Sequence, residues 1–464
     1  MDEQRTPPTP FYKRKEFIYI AALVGVIAFL FLYGESGFVA RAIMRVLGLQ
    51  QSPWRLQGAG AILLVHAYSM YVYFYLFTRA GLAKMDASMI EAAHSLGCGT
   101  WATLRRVSLP LLRPQLAAAA LLTFMTALGS FSAPYIFGGG FRVMTTQIVA
   151  SKLNGDMPMA IVETTALAAL AVIGLLLLRG RAEARSVVAV GKGTPPAARA
   201  LSQPLARWGA TVVGWVFAVV LLLPHVTLVV VSLVPIGTWT TQLMPPQYTL
   251  GNYAALVTEP ERLRPLLNSL WMAALATAAA IGIALWAGRL VVQRRAVLRG
   301  AIETLLSVPW AVPGTVLAIA LATAFSVFAP WALRWVFVGT VIILPLAYLV
   351  RNIPVAAGTV LAGFRQLDPA LDEAAASLGA GRWRTLRRVT VPLLRPAILA
   401  GGALAFATAL GDFVTSIVLY TYETRPISIE ILSALRAFDV GTAAAYGVVL
   451  MLFSATAMVV GTRR

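Results

Sequence analysis

Two stretches of this chain repeat the same reactive-looking residues in the same order: EAAHSLGCGTWATLRRVSLPLLRP from Glu91 and EAAASLGAGRWRTLRRVTVPLLRP from Glu373. Each places a carboxylate, small apolar residues, a glycine, a tryptophan, paired arginines and a proline at matching spacings. Nothing in the set pairs a nucleophile with a base, and the chain shows no HExxH, paired acidic motif or Ser/His arrangement. Its chemistry is recognition. The single cysteine, Cys98, excludes an internal disulfide and a multi-cysteine metal cage. His66, His94 and His225 fall on different segments, which fits packing or interface histidines better than a metal site. No cofactor is expected on this chain, and no metal.

The elements that must position these residues follow from local rules. Each copy predicts two short helices joined by glycine. Asp368 suits an N-cap with Pro369 at the first helical position, and Ser88 with Glu91 has capping-box spacing. Met89, Ala92, Ala93 and Leu96 recur at helical spacing, as do Leu371, Ala374, Ala375 and Leu378, which gives one narrow apolar face. Gly97 and Gly379 then predict left-handed turns. A second basic segment runs from Trp101 to Pro110, or Trp383 to Pro392, and Pro114 or Pro396 opens the next helix. Alanines at the centre of the face permit close backbone approach but bury too little area to hold a membrane surface alone. The face is built to dock in a protein cleft.

Around these stretches the chain is oily. Of 464 residues, 59% are hydrophobic and 12% charged, with a mean hydropathy of +0.76, far from the composition of soluble domains. Apolar runs predict about ten membrane spans, near 17–33, 58–78, 115–136, 159–179, 208–234, 268–290, 302–328, 333–351, 397–420 and 440–460. Continuous apolar runs favour helices over a barrel. The expected fold is an all-α integral membrane helical bundle. Met1–Pro10 is polar and no small-residue cleavage site stands out, so the first run reads as a retained anchor.

The net charge of +19 is placed by topology. With ten spans and a cytoplasmic N-terminus, every basic cluster falls on one side: Lys13–Lys15, the arginines of both repeats, residues 179–207, Arg294, Arg295, Arg299, and Arg463 with Arg464. That obeys the positive-inside rule and puts both termini in the cytoplasm. Outward loops near 34–57, 137–157, 235–266 and 421–440 mix both signs. The arginines flank spans instead of forming one basic face, so no nucleic acid is expected as a partner. The partners are membrane lipid and protein.

The repeats lie 282 residues apart, Glu91 to Glu373, and the likeness continues from TALGSF at Thr126 to TALGDF at Thr408. Two tandem homologous halves result. A tail over 1–16 precedes the first half at 17–179, a cytoplasmic linker covers 180–207, and the second half occupies 208–464. The spans near 208–234 and 268–290 have no counterpart. The first half is therefore shortened by two helices at its N-terminus, either because they are dispensable or because the chain starts late.

EAA, three residues, Gly, nine residues, then apolar-x-Leu-Pro or apolar-x-Val-Pro resembles the EAA signature of ATP-binding-cassette importer permeases. The match falls on Glu91, Ala92, Ala93, Gly97, Val107, Leu109 and Pro110, and on Glu373, Ala374, Ala375, Gly379, Val389, Val391 and Pro392. The resemblance implies that each stretch is a coupling helix seated in a separate ATPase subunit, with two ATPase copies per fused chain and ATP used by the partner. No G-x-x-x-x-G-K-[ST] occurs; AVGKGTPP near Gly191 lacks its first glycine. It also implies a bacterial inner-membrane location and a periplasmic or extracellular solute-binding protein. A secondary transporter with internal repeats is the competing class, although it has no use for twin docking stretches.

GDFVTSIVLYTYETRPISIEI is similar to the branch handling ferric iron, thiamine and phosphonates. A small solute such as ferric iron or 2-aminoethylphosphonate is favoured, with thiamine or a polyamine as alternatives. Asp412 lies in an expected span, where an ionisable group is costly. It either lines the translocation path or bonds a neighbouring helix beside Gly411; Ser130 occupies the matching place. Glu163 and Glu303 are expected at hydrated span ends, and Gly138–Gly140 in an irregular outward turn.

Overall fold

The computed structural model describes residues 22–83, 85–183, 203–239, 242–293, 296–326, 335–368 and 370–462. Among these no strand occurs, and the fold is all-α. In the first half the helices are α1 Ala22–Tyr33, α2 Phe38–Leu47, α3 Gly58–Leu82, α4 Ala87–Ser95, α5 Thr100–Thr103, α6 Leu109–Leu128, α7 Ser132–Phe137, α8 Met144–Leu153 and α9 Met157–Glu183. Three more follow: α10 Pro204–Ser232, α11 Gly251–Thr258 and α12 Pro260–Gln293. The plan then repeats as α13 Ala296–Ala311, α14 Gly314–Ala324, α15 Ile343–Phe364, α16 Ala370–Ser377, α17 Arg382–Thr385, α18 Val391–Leu410, α19 Val414–Leu419, α20 Ile427–Arg436 and α21 Val440–Thr462. Helices α6 and α18 begin and end at positions that match at the 282-residue offset.

Nine helices among the described residues are long and apolar enough to cross a membrane, or ten if one bent pair counts as a span. That pair is α13 and α14, expected as a single run over 302–328. They meet at 104°, because Pro313 lacks the N–H that would continue the ladder. The run expected at 333–351 is displaced: α15 starts at Ile343 and continues to Phe364. Arg351, Asn352 and Pro354 lowered the local hydropathy and hid its second half.

Two further spans are shorter than their apolar runs. The run near 115–136 breaks after Leu128 and resumes as α7; the run near 397–420 breaks after Leu410 and resumes as α19. The regions expected as outward loops near 137–157 and 421–440 hold α8 and α20, and that near 34–57 holds α2. Most of 180–207, the tail over 1–16, Lys13–Lys15, Arg294, Arg295, Arg463 and Arg464 lie outside the described residues.

The chain divides into two compact units. One consists of Phe29–Thr227 with Ala311–Ile319; the other gathers Leu228–Trp310 and Ala320–Arg464 with the first residues of the chain. The first unit packs α3 on α6 and α6 on α9, and takes in most of α10, whose Leu221 carbonyl accepts from Tyr68 Oη at 2.8 Å. The second unit packs α12, α15, α18 and α21 on one another. Ala280, Ala284, Ala287, Ala356 and Ala357 line its buried seam with Val360, Phe364 and Leu394. Such small residues let membrane helices approach closely. Gly401 on α18 shows how closely, since a Cβ there would collide with the Thr359 hydroxyl of α15.

Candidate functional site: twin turns and two polar breaks

The two EAA stretches fold to the same local structure. Helix α4 is capped by Asp86, whose Oδ1 accepts from Ser88 N at 3.0 Å; α16 is preceded by Asp368, whose Oδ1 accepts from Ala370 N at 2.9 Å. The capping box expected from Ser88 and Glu91 is not formed, because Asp86 reaches the free amides first and leaves Ser88 inside the helix. Pro369 lies outside the described residues. Both helices close alike. Gly97 N bonds His94 O at 2.9 Å and Cys98 N bonds Ala93 O at 3.0 Å; Gly379 N bonds Ala376 O at 2.9 Å and Ala380 N bonds Ala375 O at 3.0 Å. This is the paired closing pattern of a left-handed cap, with φ of 80° at Gly97 and 73° at Gly379.

The apolar face is divided, not single. Ala93 and Ala375 turn inward and are buried, while Ala92, Ala374, Glu91 and Glu373 stay on the surface. Consecutive small residues on a helix point about 100° apart, so only one alanine of each pair can face the chain's own body. What remains outward is Leu96 at 85% exposure and Leu378 at 88%, with Trp101 and Trp383 each at 73%. Arg105, Arg106 and Arg113, and Arg382, Arg384, Arg387, Arg388 and Arg395, are exposed around them.

The second basic segment is not a separate short helix. Each runs into its spanning helix through one wide π turn, Leu104–Ser108 or Leu386–Thr390. Leu109 N reaches Leu104 O, and Val391 N reaches Leu386 O. Pro110 and Pro392 follow at once. A proline ring collides with the carbonyl four residues back, and the wider turn moves that carbonyl aside. Pro114 and Pro396 then sit inside α6 and α18 instead of opening them.

Ser130 and Asp412 sit at the two helix breaks. In the first half, Ser130 Oγ is 2.9 Å from His66 Nε2, and its carbonyl accepts from Thr145 Oγ1 of α8 at 2.8 Å. In the second, the Asp412 carbonyl accepts from Ser428 Oγ of α20 at 2.9 Å, the same tie. It also accepts from Ser416 Oγ, which lies 2.7 Å from Tyr348 Oη. Tyr348 stands where the offset puts His66.

The side chains differ. Asp412 is buried; its Oδ1 accepts from Thr415 N at 2.9 Å and caps α19, and its Oδ2 lies 3.3 Å from Arg351 Nη1. Both alternatives raised for Asp412 start from this geometry, and the helix-bonding and capping contacts are present. Arg351, Tyr348 and His66 were not singled out from the sequence as site residues, and only the offset arithmetic applied to Asp412 and Ser130 points to their neighbours.

The remaining polar residues have plainer partners. Glu163 accepts from Ser151 Oγ at 2.9 Å. Glu303 is ion-paired with Arg365 at 2.8 Å and Arg299 at 3.2 Å. Among the mixed charges, Arg425 pairs with Glu430 at 2.9 Å and Arg262 lies 3.7 Å from Asp439. Gly138–Gly140 form the expected irregular turn, with φ of 55° at Gly139.

A duplicated helical membrane unit carrying an exposed, glycine-closed turn in each copy defines a class, and comparison with known proteins names it. The profile of the binding-protein-dependent transport system inner membrane component family matches residues 17–182 and 280–463, and the chain belongs to that family. It is 30% identical over 451 residues to the probable ABC transporter permease protein y4fN of Sinorhizobium fredii, covering 96% of this chain and 79% of that one. It is 28% identical over 428 residues to the ferric transport system permease protein FbpB of Actinobacillus pleuropneumoniae, covering 90% of this chain and 60% of that one. This chain thus spans about three fifths of the ferric relative. A crystal structure of a bacterial ABC transporter that imports the acidic polysaccharide alginate aligns at a TM-score of 0.44 and 18% identity, over 55% of this chain and 93% of its own.

Proposed function

We propose that this chain is the membrane-spanning subunit of a bacterial inner-membrane importer, energised by two copies of a separate ATPase and supplied by a solute-binding protein outside the membrane. The observation that carries the reading is the turn repeated bond for bond, with Leu96 and Leu378 left almost wholly exposed. Burying one leucine is worth about 1.5–3 kcal/mol, so each turn presents a modest docking energy and two turns are needed for firm attachment. Glu91, Ala92, Ala93, Gly97 and Pro110, with Glu373, Ala374, Ala375, Gly379 and Pro392, shape those seats. Both termini lie in the cytoplasm in this reading. The favoured solute is small: ferric iron, in line with the name of the ferric relative, or an organophosphonate such as 2-aminoethylphosphonate.

The test is co-expression with a candidate ATPase and binding protein, followed by affinity purification through the permease. The intact chain should retain the ATPase and stimulate ATP hydrolysis when liganded binding protein is added. A Leu96→Ser, Leu378→Ser double variant should insert normally and lose at least tenfold of the retained ATPase. Full retention by that variant would remove the docking role from these turns.

A further inference from the structure

We infer that Arg351 is a solute contact inside the membrane, and that the solute it serves carries a small oxyanion group such as phosphonate, phosphate or sulfate. The inference rests on the permease reading above and narrows its solute class. Arg351 is the ninth residue of the 22-residue α15, about 12 Å along the helix from its start at 1.5 Å per residue. Its side chain is 37% exposed, while that of Asp412, its ion-pair partner, is 2% exposed. A guanidinium at that depth is too costly to leave against hydrocarbon, so its open part must meet water or a solute. The carboxylate is shielded behind it. The face offered to the passage is therefore cationic, although the pair itself is neutral.

Nη1 is turned inward, 3.3 Å from Asp412 Oδ2, and makes no hydrogen bond, so the exposed part of the Arg351 side chain is what an arriving solute meets. A guanidinium is a planar fork that matches oxyanions with two parallel N–H bonds. Asp412 is held rigidly by Thr415 N on one oxygen, and its carbonyl by Ser416 and Ser428. It can therefore keep the guanidinium aimed without following it. It also competes with an arriving anion. That competition suits transport, where a solute must be held strongly enough to enter and weakly enough to leave. The matching position in the first half is Ser69, which is neutral and exposed, so the first half does not repeat the contact at that position.

The experiment uses the full chain purified in a phosphate-free detergent, with radiolabelled sulfate, phosphate and methylphosphonate as probes and ferric citrate as comparison. At least one oxyanion should bind. Arg351→Ala should weaken it tenfold or more, and Arg351→Lys, which keeps the charge and loses the fork, severalfold. Asp412→Asn should strengthen it severalfold, a sign opposite to what damage to a purely structural pair would give. If Arg351→Ala does not fold, Arg351→Lys with Asp412→Asn decides. Added phosphatidylglycerol should not displace the probe; displacement would assign the site to a lipid headgroup and overturn the proposal. No oxyanion binding, weaker binding in Asp412→Asn, or binding of ferric citrate alone would do the same. ATPase co-purification on the same samples separates these outcomes from failure of the permease reading: variants that keep the ATPase but show no anion dependence sink only the anion site.

Discussion

At the scale of single residues, the two halves place different chemistry at one architectural point. The backbone tie is shared, Thr145 to Ser130 in one half and Ser428 to Asp412 in the other, but only the second half adds a charged pair. Removing one member of a buried pair commonly costs about 3–5 kcal/mol; here the lower end applies, since Arg351 is more than a third exposed. Asp412→Ala should therefore lower both membrane abundance and transport, because it deletes the α19 cap and the counter-ion together. Exchanging the pair for its first-half counterparts, Asp412→Ser with Arg351→Ser, removes both charges at once. Abundance should recover toward normal while uptake stays low. Uptake equal to the unaltered chain in that double variant would return the pair to a packing role.

At the scale of elements, the turns after α4 and α16 are where small changes should have the clearest consequence. No atom lies within 4 Å of a Cβ built on Gly97 or Gly379, so substitution meets no clash and the cost is that of the backbone alone. A positive φ costs a β-branched residue about 1–2 kcal/mol. That is too little to unfold a bundle of this size, but enough to shift a short docking helix. Gly379→Val, and likewise Gly97→Val, should leave membrane abundance near normal while weakening ATPase retention or separating hydrolysis from uptake. The double variant should be worse than either single one. Normal uptake and ATPase binding in both single variants would leave these turns as inner-leaflet loops.

For the whole molecule, orientation is the property to test. If the basic clusters stay inside, Cys98 faces the cytoplasm. It is half-buried beside the turn, its carbonyl 3.0 Å from His94 Nδ1. A membrane-impermeant maleimide should leave it unlabelled in intact cells and label it once membranes are opened and the ATPase is stripped away. Labelling in sealed cells would invert the topology and place the twin turns on the wrong side for a cytoplasmic ATPase.

The sequence by itself determined the class, the duplication and the turns. Apolar runs of about 20 residues have one stable solution in lipid, a 282-residue repeat is visible without any fold, and a glycine after EAAHSL or EAAASL answers to strictly local steric rules. Where the answer depended on direction or distance, only the tertiary structure decided it. Hydropathy cannot see that a continuous apolar run breaks at Gly129 or Gly411, because both sides of the break are equally oily. It also passed over α15 beyond Arg351, since a charge that is costly alone becomes tolerable beside a partner 61 positions away. The meeting of Arg351 with Asp412, and of His66 with Ser130, is set by how α15 packs on α18 and α3 on α6, and no local pattern encodes that packing.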